Sequence, residues 1–133
     1  MKYLGIDYGS KKLGIAISND DGTLAFPRSI ISNSKDTVAT IASIIAQEHI
    51  EHIVMGESLD YKGKENKIFQ ESKEFADNLA KTTGITTCWE PEFLTSAQAR
   101  TTQGNHDKID ASAAALILQT FLDRKNKTST LKG

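Results

Sequence analysis

An α/β fold is what this sequence predicts: a five-stranded mixed sheet, three antiparallel strands and then two parallel ones, flanked by helices. Three observations carry it. Near the amino end, two apolar, β-branched runs are joined by a short glycine-punctuated turn, the mark of a hairpin. Beyond residue 33, stretches with helical periodicity alternate with short apolar runs of strand type. Each of those later runs follows a helix, and a right-handed crossover lays such a strand parallel to the first.

Taken in order, Lys2–Asp7 and Leu13–Ser18 read as paired strands, and Asn19-Asp20-Asp21-Gly22 as a turn that permits positive φ. Thr23–Ile31 reads as the third strand. Pro27 lacks an N–H for the ladder, so this strand belongs at a sheet edge. Asn33 or Ser34 is expected to cap a helix running to about His49, with Val38, Ile41, Ala42, Ile44 and Ile45 on one face. Ile53–Met55 is a short buried strand ending at Gly56. Lys64–Thr83 is a second helix, with Ile68, Phe69, Phe75, Ala76 and Leu79 inward and Gly84 as its stop. Ile85–Glu90 is the fifth strand. Thr95 or Ser96 starts a short helix to about Thr102, and Asp107 caps a last helix through about Arg124. Residues 1–124 thus form one domain, followed by a flexible basic tail over 125–133.

Composition narrows the function classes. A chain of 133 residues, 38% hydrophobic and 25% charged, suits one globular domain that folds without staples. No apolar run approaches the roughly 20 residues of a membrane span. Met1-Lys2 leads straight into a strand pattern, so no signal segment is expected. The lone Cys88 cannot form an internal disulfide and reads as a small buried hydrophobe in a reducing cytoplasm. A formal net charge of −1 leaves any nucleic-acid contact to local lysines.

Three carboxylates stand out by position. Asp7 ends the first strand, Glu92 lies just past the fifth, and Asp110 opens the last helix. That helix is apolar on more than one face, so its body must be buried on the sheet and its first acid brought to the sheet margin. Acids gathered there repel one another unless cations lie between them, and hard divalent ions with oxygen ligands, Mg²⁺ or Mn²⁺, suit such a set. Pro91 separates Glu90 from Glu92, and either could face the site. Asp107 is the better N-cap candidate, which frees Asp110 for the site. Glu65, Glu71 and Glu74 fall on a polar helix face and are expected in solvent. Beside the acids lie two loops able to neutralise phosphate: Gly9, Ser10, Lys11 and Lys12 after the first strand, and Lys62 and Lys64 after the fourth. Trp89 and Tyr61 are candidates for stacking on bases, with Trp89 better placed in the core. His49, His52 and His106 show no ligand spacing.

These residues resemble the YqgF family, the Holliday-junction-resolvase-like proteins also called pre-16S rRNA nucleases, within the ribonuclease H-like superfamily. The resemblance spans nearly the whole chain. It rests on Gly5-Ile6-Asp7-Tyr8-Gly9-Ser10-Lys11-Lys12-Leu13-Gly14, on the looser Gly56 to Gly63 segment, and on Asp110-Ala111-Ser112-Ala113-Ala114 through Leu122. It implies a ribonuclease H-like fold, with Asp7, Glu92 and Asp110 as catalytic and metal-binding acids. It also implies metal-dependent hydrolysis of nucleic-acid phosphodiesters, linked to maturation of the 5′ end of 16S rRNA. The implied partners are precursor 16S rRNA first, then branched DNA and a ribosomal-subunit precursor, with the protein a monomer or weak homodimer away from membranes. The chain departs from the family pattern at Phe93, where an arginine is usual, and at Ser58, where the central loop usually has proline. The changed Glu90–Ser96 segment keeps alive a noncatalytic nucleic-acid or ribosome-assembly binding module of the same fold; a Holliday-junction-type DNA resolvase is a further alternative. The Gly5–Ser10 run also looks like the first phosphate loop of the actin and sugar-kinase type, which needs a second such domain.

Overall fold

The computed structural model describes residues 1–59, 67–93 and 111–132, with side chains described for 1–57, 68–91 and 113–126. The elements are β1 (Tyr3–Tyr8), β2 (Lys12–Ser18), β3 (Ala25–Ser32), α1 (Thr37–Glu48), β4 (His52–Leu59), α2 (Lys67–Thr83), β5 (Thr87–Phe93) and α3 (Ala111–Lys132). The sheet order is β3-β2-β1-β4-β5, with β1–β2 and β2–β3 antiparallel and β1–β4 and β4–β5 parallel. The mixed sheet is therefore the expected one, and β3 with its Pro27 lies at an edge.

Strand alternation makes two cores. Leu4 and Ile6 of β1, Leu13 and Ile15 of β2, and Ile53 and Met55 of β4 pack with Ile41 and Ile45 of α1 and with Phe75 and Leu79 of α2. On the other face, Tyr3, Ala16 and Val54 meet Ala114, Ile117, Leu118 and Leu122 of α3. Trp89 is half-buried against the first core and meets the Phe69 ring edge-on at 5.1 Å, so it packs rather than stacks outward. Cys88 is half-buried against the second core.

Several boundaries differ from the sequence expectation, each for a local reason. The third strand begins at Ala25 rather than Thr23, because Asn19 claims the turn: its Oδ1 accepts from the N–H groups of Thr23 and Leu24. Gly22 has the positive φ, 68°, that this turn requires. The first helix starts at Thr37, and its N-cap is Asp36 with no side-chain cap bond, not Asn33 or Ser34 as expected. Before it, the Ser34 N–H donates to Thr37 Oγ1 at 2.7 Å and the Asp36 N–H to Ser34 Oγ at 3.2 Å, so Ser34 organises the turn that leads into the helix. Strand β4 does not stop at Gly56, because its pairing with β5 continues to Leu59↔Phe93. The fifth strand accordingly spans Thr87–Phe93 and takes Glu92 inside it, not past its end. Helix α2 is described from Lys67 and stops at Gly84, whose φ is 78°. Helix α3 runs on to Lys132, well beyond Arg124.

Candidate active site

β1 is the middle strand, and its pleat decides where Asp7 points. Leu4 and Ile6 face α1 and α2, whereas Tyr3 and Gly5 face α3, so Asp7 shares the α3 face with Gly5. Helix α3 crosses that face antiparallel to β1. Tyr3 lies beside Phe121, ring centroids 6.0 Å apart, while Gly5 lies against Ala114 and Leu118. Two residues along the strand correspond to about a turn and more back along the helix, so the amino end of α3 lies toward the Asp7 end of β1.

Across the sheet, Ile6 pairs with Met55, and Gly56 pairs with Glu90. Asp7, Gly56 and Glu90 are therefore level on three neighbouring strands. Gly56, which is buried, puts no side chain between the two acid-bearing strands at that level. Glu90 is only 5% exposed. Its Oε2 accepts a hydrogen bond from Arg124 Nη1 at 3.2 Å, and Oε1 forms an ion pair with Nη2. Glu90 thus joins β5 to α3. Glu92, two residues on, stands opposite Ser58 in the β4–β5 ladder; its side chain is outside the described residues, as are Asp110, Lys62, Lys64, Tyr61 and His106. The expected short helix after Thr95 and the Asp107 cap also fall outside them.

The β1–β2 turn carries Gly9, Ser10, Lys11 and Lys12 beyond Asp7, with Ser10, Lys11 and Lys12 exposed. A residue that pattern reading assigned to helix capping holds this turn. Asn33 Nδ2 donates to the Gly9 carbonyl at 2.7 Å, and the Asn33 N–H donates to the Lys11 carbonyl at 2.8 Å. No spacing in the sequence signals this, because the strap joins residues more than twenty positions apart. Among the described residues no group of three or more His, Cys, Asp or Glu could hold a metal ion. Asp7 supplies hard carboxylate oxygen at the open margin of the sheet, a donor type that fits Mg²⁺ or Mn²⁺ and not a soft metal.

Solved structures share this architecture. RuvC of Thermus thermophilus, in complex with a Holliday junction substrate, superposes with a TM-score of 0.59 at 14% identity over 94% of this chain and 96% of its own. The fowlpox virus Holliday junction resolvase gives 0.60 at 11% identity over 93% and 99%. At those identities the likeness is one of fold, and the fold is of the ribonuclease H-like class. Relatives in sequence refine this. A protein of Nitratidesulfovibrio vulgaris called "Putative pre-16S rRNA nuclease" is 32% identical over 92% of this chain and 94% of its own length; one of Rickettsia canadensis with the same name is 36% identical over 90% and 84%. The family described as "RuvX: Holliday junction resolvase" matches residues 1–124, and the chain belongs to that family.

Proposed function

We propose that the protein is a metal-dependent nuclease that hydrolyses nucleic-acid phosphodiesters, with precursor 16S rRNA as its substrate in 5′-end maturation within the cytoplasm. The observation that carries this is the position of Asp7. It is the last β1 residue on the α3 face, one before the strand's final Tyr8, at the end of β1 toward which α3 begins. Asp110 directly precedes Ala111, the first described residue of that helix, and Glu92 follows the buried Glu90 by two residues in β5. The three-acid set Asp7, Glu92 and Asp110 is the reading these placements support. Relatives named as nucleases over nine-tenths of the chain support the same chemistry.

In this reading Asp7, Glu92 and Asp110 would hold Mg²⁺ or Mn²⁺, which would supply Lewis-acid stabilisation of the charge that develops on the phosphodiester. The chain's own residues do the rest. The Gly9–Lys12 turn receives the phosphate of the strand, with Lys11 and Lys12 neutralising it and Asn33 keeping the backbone in place. Lys62 and Lys64, in the sequence that follows β4, add cationic contacts. Phe93 contributes no guanidinium where family members have one, so the backbone turn and the lysines carry more of the phosphate contact.

The test uses purified protein with single-stranded RNA, precursor rRNA fragments and branched DNA, each with Mg²⁺, Mn²⁺ or EDTA. Cleavage of precursor rRNA that needs a divalent ion and disappears in Asp7→Asn and Asp110→Asn is expected. Cleavage confined to branched DNA would make the protein a junction resolvase. Binding without cleavage under every condition would make it a noncatalytic module.

A further inference from the structure

On the sheet face opposite Asp7 a cleft of about 440 Å³ opens between α1 and α2. It is within the size range of small-molecule sites, about 300–1,000 Å³. Tyr8 and Phe75, with ring centroids 5.3 Å apart, give it an aromatic part. Glu71 and Glu74 of α2 line one side, three positions apart and so on one helix face. Glu71 is half-buried there, not in free solvent as its polar helix face suggested. Ser34 and Lys35 line the other side. Ser10 lines the cleft as well, so the strapped turn beside Asp7 forms a wall shared by the two sites.

The two sides have opposite hydrogen-bonding character. The Glu71 and Glu74 carboxylates make no ion pair among the described residues and only accept. The Lys35 ammonium only donates, and Ser34 Oγ, already accepting from the Asp36 N–H, keeps its hydrogen to donate. An anion in the cleft would face two carboxylates, and a simple cation would face Lys35. A neutral, planar group with donors and an acceptor at different positions along its edge satisfies both sides and can lie against the half-buried Tyr8 ring.

We infer that this cleft receives one unpaired base of the substrate strand and favours an amino-bearing base, cytosine or guanine, over uracil. The cytosine amino group, or the paired N–H groups of guanine, donate to Glu71 and Glu74, and the carbonyl oxygen of either base accepts from Lys35 or Ser34. Uracil offers a single N–H flanked by two carbonyl oxygens, which the carboxylates repel. The inference rests on the nuclease reading, because the base enters next to a phosphate seated on the Gly9–Lys12 turn. It adds a preference for sequence that the acids and lysines do not supply.

The test measures fluorescence anisotropy of labelled oligocytidylate and oligouridylate with EDTA present, so that binding is read without cleavage. Wild-type protein is expected to bind oligocytidylate about 10-fold tighter, within the range that one good base-edge contact provides. The E71A/E74A variant, altered on the side of α2 that lines the cleft, is expected to bring that ratio to about 1 with oligouridylate affinity no weaker, and E51A, outside the cleft, to leave it unchanged. Thermal melting confirms that each variant is folded. Equal affinity of the wild type for both oligomers, or a ratio that survives in E71A/E74A, overturns the base site and leaves the nuclease reading standing. Binding of neither oligomer overturns the base site too, and the cleavage assay with precursor rRNA and branched DNA decides the nuclease reading separately.

Discussion

Leu118 of α3 lies so close to Gly5 of β1 that a β-carbon on the glycine would stand 2.8 Å from the leucine Cβ. The helix can settle on the middle strand only because that strand has no side chain there. The same contact sets the height of α3 along β1, and with it how near the helix start comes to Asp7.

Gly5→Ala should therefore disturb both stability and site. A methyl group at this contact has backbone and a helix Cβ for neighbours, not a flexible side-chain end. Overpacking of this kind costs about 1–3 kcal/mol. Urea unfolding should show that loss, and cleavage by the still-folded fraction should also fall, because α3 must lift at the end of β1 where the acid sits. Unchanged stability would mean that the helix shifts freely on the strand.

Glu90 and Arg124 give a second prediction. The carboxylate is buried with a side-chain exposure of 6%, while the arginine is 55% exposed, so the cost of separation falls mainly on Glu90. Arg124→Ala should destabilise by about 1–3 kcal/mol through the unpaired buried acid. The pair of changes Glu90→Gln and Arg124→Met should cost less than the sum of the two single changes in a double-mutant cycle.

Lys11 and Lys12 should act on binding through charge. Each Lys→Ala change should lower the salt slope of nucleic-acid affinity by about 1, as the loss of one phosphate contact does. Anisotropy titrations across a salt series would show it. Asp7→Asn should leave that slope in place while cleavage falls by at least about 100-fold, the upper end of what losing even an outer metal partner costs.

Glu48 gives the pH prediction. The hydrogen bond from Lys2 holds its carboxyl below the ordinary value, with Arg28 adding to the effect and partial burial opposing it. A depressed folded-state pKa adds stability that is complete above the unfolded value and disappears as pH falls through the folded one. Glu48→Gln should therefore lower the unfolding free energy measured by urea titration at pH 7 by a small step, under about 1 kcal/mol for a pair that solvent still reaches. The step should shrink as pH falls through and below the ordinary carboxylate range. A penalty that persists in acid would point to packing, not charge.

The mixed sheet was legible because periodicity and turn chemistry are local: the alternation in Leu4–Ile6 and Leu13–Ile17, the Gly22 turn, Pro27 at the edge and Gly84 after α2 each state their role within a few residues. The strand ends were less legible. Whether β4 passes Gly56 and β5 passes Glu90 depends on the partner's hydrogen bonds, which no short window contains. At the site, the position of Asp7 at a strand end could be read directly. The engagement of Glu90 by Arg124 could not, since those residues are 34 apart and meet only because α3 packs across the sheet.

By itself the sequence determined which residues alternate, which turn and which acid lies near the end of the first strand, because those depend on backbone preference and side-chain polarity within a few positions. Only the tertiary structure decided that Asp7 and Glu90 stand level across a glycine, that Asn33 straps the Gly9–Lys12 turn, and that Glu71, Glu74 and Lys35 line one cleft. The physical reason is common to all three: each joins residues distant in the chain, and their distance in space is set by how helices settle on a pleated sheet.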